Sequence, residues 1–145
     1  MVIGIIGESC TGKSTLAEKL KEKIGGEIYT GKDYLRLAKN ESIARRLFQK
    51  MLIDSVDGDN IIYVISEQEH LSLLPDRAVR VLVTADIETI KERFARRMNG
   101  NLPAPVASML ERMHGCFDRV PHDISVLSDE TDLDLACAEI MSKIL

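Results

Sequence analysis

The chain has 145 residues, 45% apolar and 29% charged, a composition that suits one globular domain able to bury a core without disulfide or metal staples. A formal net charge of −4 argues against broad nucleic-acid binding, and no apolar run approaches the ~20 residues of a membrane span, so neither nucleic acid nor membrane is an expected partner. The N-terminus lacks a basic leader with an apolar core, and Cys10, Cys116 and Cys137 lack metal-like spacing, which together lead us to expect a cytoplasmic, reducing setting.

Val2–Ile6 is an apolar run suited to a buried strand, and Thr15–Lys23 has helical spacing. Between them Gly7, Glu8, Ser9, Cys10, Thr11, Gly12, Lys13 and Ser14 spell GxxxxGKS, so strand, glycine-rich turn and helix follow one another as a phosphate-cradling P-loop requires. Gly7 and Gly12 let main-chain amides approach phosphate oxygens, and the unpaired amides at the helix start add positive potential. Lys13 supplies a mobile cation for the β and γ phosphates, the Ser14 hydroxyl is a ligand for Mg2+, and Thr15 is placed for the α phosphate. Cys10 reads either as a thiol activated at a helix N-terminus or as a small space-filling residue, the second being favoured.

Further along, short β-branched runs predict strands at Glu27–Tyr29, Ile61–Ile65, Val79–Thr84 and Ile124–Leu127. Helices are predicted at Lys13–Ile24, Lys32–Asn40, Ser42–Asp54, Ile87–Met98, Val106–Cys116 and Leu133–Ile144, with Asp86 and Asp132 at N-cap positions. Apolar strands separated by helices imply an α/β fold in three layers, helices on both faces of a five-stranded parallel sheet. Asp57–Asn60 and Asn99–Pro105 are the linker candidates, and the second reads as a flap or hinge between two arginine-bearing helices. Basic residues gather in Arg36–Lys50 and in Lys91–Arg112. Lys39, Arg45, Lys50 and Lys91 read as solvated helix faces, and His70, His114 and His122 as structural or surface residues.

The P-loop, the turn Ile28–Gly31 with Asp33 and Arg36 after it, the segment Arg80–Ala85, and the arginine-rich Ile90–Arg97 resemble nucleoside monophosphate kinases, most nearly the cytidylate kinase group. Ser108–Arg112 and Asp123–Val126 extend the similarity over nearly the whole chain. The resemblance implies a P-loop NTPase fold with a short helical lid at about residues 93–115, ATP and Mg2+ as cofactors, and a small-molecule phosphate acceptor bound at Thr30, Gly31, Asp33 and Arg36.

Arg36 would clamp an acceptor phosphate with its planar fork, or else be a solvent-exposed helix residue. Arg93 and Arg97, four apart and so on one helix face, would close with Arg112 onto the γ phosphate and exclude water. Arg96 lies off that face, a surface charge or a base contact. After the third strand the family carries an aspartate and an arginine where this chain has Ser66, Glu67, Gln68, Glu69 and His70. Glu67 either replaces the aspartate at Mg2+ through a water or is an ordinary loop carboxylate. Asp33 stands where shikimate-kinase-like relatives place an acid near the acceptor hydroxyl, or is a helix N-terminal residue favoured by the dipole.

The expected function is therefore an ATP-dependent kinase acting on a nucleoside monophosphate, as a single domain that is a monomer or weak homodimer. A nucleotide-binding regulator without transfer activity and a kinase for a non-nucleotide alcohol, such as shikimate or gluconate, are the alternatives.

Overall fold

The computed structural model describes residues 1–128 and 132–144. All expected strands form, as β1 (Val2–Ile6), β2 (Glu27–Thr30), β3 (Ile61–Ile65), β4 (Val79–Thr84) and β5 (Ile124–Leu127). They pair in parallel in the order β2-β3-β1-β4-β5. β1 and β3 are buried at every position, as their unbroken apolar sequences require, whereas the edge strands β2 and β5 include exposed residues.

Alternation along the strands divides the core in two. Val2, Ile6, Tyr63, Ile65 and Leu82 face Ala44, Phe48 and Leu52 of α2 (Glu41–Ser55), together with Tyr34 and Leu73 from two short 3-10 turns. Ile3, Ile5, Ile62, Val64, Val81 and Val83 face Leu16, Ala17 and Leu20 of α1 (Lys13–Ile24) and Ala136, Cys137 and Ile140 of α5 (Leu133–Ile144). This is the three-layer α/β architecture expected.

Two helices, α3 (Ile87–Arg97) and α4 (Ala104–Met113), lie above the end of β4 and pack on each other through a smaller core. Ile90 and Leu110 bury Cys10 and Ala85 there, and a Lys91–Glu111 ion pair joins the two helices outside. Between them, Asn99 and Gly100 take left-handed backbone (φ 61 and 87), and the Gly100 amide donates to Ala95 O at 2.7 Å, capping α3.

Three stretches differ from expectation. The helix expected over Lys32–Asn40 forms only a 3-10 turn, Asp33–Leu37. Asp33 Oδ2 accepts the Thr30 amide at 2.8 Å, tightening the turn after β2, and Asn40 Oδ1 accepts the Ile43 amide at 3.1 Å as N-cap of α2. A residue that caps the next helix cannot end the previous one as its interior. Second, α4 starts at Ala104, two residues early, because Pro105 suits the first turn of a helix, and stops at Met113, where His114 turns extended and Gly115 has φ 82. Third, Gln68–Leu73 forms a 3-10 turn that was not foreseen. Of the two expected caps, Asp132 accepts the Asp134 amide at 2.7 Å, while Asp86 stands at the N-cap without a side-chain bond.

Candidate functional site

Because all strands are parallel, their C-terminal ends share one edge of the sheet, where open α/β folds bind ligands. β1 delivers the P-loop there. The Gly7 amide donates to Ile65 O at 3.1 Å, tying the loop to β3, and a Cβ on Gly7 would stand 2.3 Å from Val83 O, so only glycine lets the loop lie this close to β4. Gly12, at φ 96, turns the chain into α1.

The loop wraps a hollow of about 220 Å³ lined by Ser9, Cys10, Gly12, Lys13, Ser14, Thr15, Val64, Thr30, Ser66 and Arg97. Larger hollows occur elsewhere, one of about 560 Å³ around Gly26, Met51 and Asn60 at the opposite sheet edge, but it has no P-loop amides. Chemistry places the site where volume does not. Thr30 ends β2 and Ser66 follows β3, so three strand ends meet at the hollow, and Arg97 reaches it from the last turn of α3.

Lys13 is 5% exposed and donates to the Glu8 carbonyl, with no salt-bridging carboxylate among the described residues. Burial, helped by the nearby Arg97 and opposed by Cys10 and Glu8, pushes its ammonium down to about 8. A buried cation without an anionic partner is costly, and a polyphosphate is the partner that a P-loop supplies room for.

Several expected residues prove to have other partners. The side chains of Glu8 and Thr11 turn away from the hollow. Thr11 Oγ1 donates to Glu8 O at 2.9 Å, and the Glu8 carboxylate meets His114 Nδ1 at 3.1 Å and accepts the Gly115 amide at 3.1 Å. Both residues can therefore face a ligand only through their backbone. Cys10 has φ 64 and is packed under α3 and α4, which matches its space-filling reading. Arg93 does not point freely into the hollow: its Nη1 donates to Cys10 O and to Ser128 Oγ, each at 3.1 Å, fastening α3 to the loop. Arg112 is exposed and does not line the hollow, and Arg96 pairs with Glu92 at 2.6 Å as a surface charge. Of the expected arginines only Arg97 lines the hollow.

On the β2 side, Gly31 O accepts the Tyr63 hydroxyl at 2.8 Å, next to the Asp33–Thr30 bond. Arg36 lies over the Tyr29 ring, 4.4 Å from its centroid, and is outside the hollow. Burial raises the Tyr63 hydroxyl's pKa; Tyr34, Asp33 and Glu67 add to this, and Arg45 works against them. Arg45, expected to be a solvated charge, is half-buried and donates to Glu69 O at 3.1 Å. Ser66, Ser128, Tyr63 and Arg45 were not among the sequence candidates. Only Ser66 had a readable signal, its place directly after a buried strand.

A glycine-rich loop between β1 and α1, at the C-terminal edge of a parallel sheet ordered 2-3-1-4-5, defines a P-loop α/β protein. No protein-family model matches the sequence, and no functionally curated protein does. Solved structures do match. A sugar kinase from Janibacter sp. aligns over 97% of this chain and 92% of its own, at 16% identity and a TM-score of 0.67. Shikimate kinase from Acinetobacter baumannii, in complex with shikimate, aligns over 99% and 92% at 16% identity and TM-score 0.68. The YorR protein of Bacillus subtilis, in complex with phosphorylated GDP, aligns over 99% and 95% at 20% identity and TM-score 0.69. The fold is that of the P-loop kinases.

Proposed function

We propose that the protein is an ATP-dependent kinase that transfers the γ-phosphoryl group to a hydroxyl of a small non-nucleotide metabolite, a sugar or hydroxy acid. The observation that carries this reading is the hollow itself, whose wall is shared by the buried Lys13, the exposed Ser14 and Thr15, and Thr30, Ser66 and Arg97 at the strand ends and lid. On the donor side, P-loop amides and Lys13 hold the phosphates, and Arg97 meets the charge that develops during transfer. Mg2+, which the fold implies, would be held by the Ser14 hydroxyl and approached by Glu67, which follows Ser66 of the hollow; bound, it neutralises charge on the β and γ phosphates.

The acceptor side favours an alcohol over a phosphate. A monophosphate acceptor needs arginines around it, whereas Arg36 stacks on Tyr29 and no arginine follows β3. What borders the hollow there is Thr30 and Ser66, and the Thr30 amide anchors Oδ2 of the neighbouring Asp33. Hydroxyls and a carboxylate suit a hydroxylated acceptor, with Asp33 as the base that takes its proton. The similar folds of a sugar kinase and a shikimate kinase agree with this class. α3 and α4 would act as the lid, residues 93–115, closing Arg97 over the phosphates.

A nucleoside monophosphate acceptor, of the cytidylate kinase type, is the second reading. It draws on the sequence pattern around Arg36 and on the similarity to a protein solved with phosphorylated GDP.

The test is ADP release from ATP and Mg2+ over a panel of sugars, hydroxy acids and nucleoside monophosphates, with Lys13→Ala as the negative control. Turnover with a non-nucleotide alcohol supports the proposal. Turnover with monophosphates alone transfers the case to the second reading, and ATP binding without any turnover makes the protein a nucleotide-dependent regulator.

A further inference from the structure

We propose that Glu67, Glu69 and His70 form a binding site for a zinc-class divalent cation beside the hollow; it shares Glu67 with the Mg2+ position of the proposed function and otherwise stands on its own observations. β3 ends at Ile65, Ser66 enters the hollow wall, and Glu67 is extended (φ −126, ψ 135) before the 3-10 turn Gln68–Leu73. The turn opens with the His70 amide donating to Glu67 O at 3.1 Å. With about three residues per turn, a 3-10 segment eclipses side chains three apart, which brings Glu67 and His70 to one edge, with Glu69 next to them.

One ligand atom from each of the three lies within 4.8 Å of the other two. His70 Nε2 is 3.5 Å from Glu69 Oε1. Two donors bound tetrahedrally at about 2.0–2.1 Å stand about 3.4 Å apart, so this pair already has the spacing of two ligands on one ion. Glu67 and Glu69 are exposed, so both carboxylates are open to a cation arriving from solvent.

His70 supplies the independent indication of a ligand. It is 1% exposed, and among the described residues neither of its ring nitrogens has a hydrogen-bond partner. Buried polar groups are rarely left so, because the lost hydration is not replaced. The neighbouring Glu69 oxygen does not satisfy Nε2, since their approach is too long and poorly aligned for a hydrogen bond. Aromatic packing fixes the ring in place, with Tyr34 edge-on at 6.1 Å and Tyr63 at 6.3 Å between centroids. A cation accepting the Nε2 lone pair would use this held imidazole, and the two carboxylates would neutralise it.

The donor set defines the class. A neutral imidazole with two carboxylates is the ligand type of Zn2+ and its neighbours, leaving a fourth position for water, whereas Mg2+ takes oxygen donors in an octahedron.

The experiment is calorimetric titration of Zn2+ into the full chain, stripped with chelator, nucleotide-free and in excess Mg2+, followed by the Co2+ absorption spectrum. One saturable site that Mg2+ does not displace is expected. Glu69→Gln, at a side chain 53% exposed and so without consequence for folding, should weaken it about tenfold or more, and His70→Gln likewise. The Co2+ spectrum should lack the near-ultraviolet thiolate charge-transfer band, since Cys10, Cys116 and Cys137 are free thiols that would otherwise compete. Absence of a saturable site, undiminished affinity in Glu69→Gln, or a thiolate band in the Co2+ spectrum would each overturn the proposal.

Discussion

Replacing Lys13 with methionine should make the ligand-free protein more stable, not less. The side chain is almost fully enclosed, and burial lowers its pKa from 10.5 to about 8. At about 1.36 kcal/mol per pKa unit, that drop means the charged form costs the folded state about 3 kcal/mol at pH 7. Methionine fills a similar volume without charge but gives up the bond to the Glu8 carbonyl, so a net gain of about 1–2 kcal/mol is expected. The folded pKa lies below the unfolded one, so the penalty is complete below pH 8 and fades as pH rises from about 8 to 10.5, where the unfolded chain holds the proton that the folded chain has released. Urea unfolding of both proteins from pH 7 to 10.5 reads this as an advantage of the methionine variant that shrinks with pH and gives way to an advantage of the wild type as the penalty fades. Adding ATP analogue should reverse the order at pH 7, because only the wild type has a cation to pair with the bound anion. A Lys13→Met protein that is less stable than wild type at pH 7, or a difference that does not change with pH, would refute the reasoning.

Other expected outcomes follow from the same geometry. Arg97→Ala should lower kcat by about 10²–10³ in steady-state phosphoryl transfer while Arg112→Ala changes it little, since only Arg97 lines the hollow; equal losses would return Arg112 to the site. Gly7→Ala places a methyl 2.3 Å from Val83 O and should cost about 3 kcal/mol in chemical denaturation. Glu8→Ala removes the partner of His114 and of the Gly115 amide, and a loss of about 1–3 kcal/mol is expected in the same assay, with phosphate binding retained in calorimetry.

The parts legible in the sequence were those set by local pattern. β1 and β3 are unbroken apolar runs, and the P-loop carries its own strand-loop-helix frame, so their bounds matched to within a residue. Side-chain destinations were another matter. Nothing local announces that Glu8 would turn from the phosphates to residues more than 100 positions away, or that Arg93 would be spent on Cys10 O and Ser128. The helix over Lys32–Asn40 was misread because its polar residues serve the flanking turns: Asp33 is taken by Thr30 and Asn40 by Ile43. His70 reads as structural or surface from sequence because the 3-10 turn that sets it beside Glu67 and Glu69 has no local signal in the chain.

The central claim is that this P-loop serves transfer to an alcohol, and 31P NMR of the products tests it most directly. Incubation with ATP, Mg2+ and a mixture of sugars and hydroxy acids should yield ADP together with a new phosphomonoester resonance, absent with Lys13→Ala. Inorganic phosphate as the sole new product, or unconsumed ATP under conditions where binding is saturated, would contradict it.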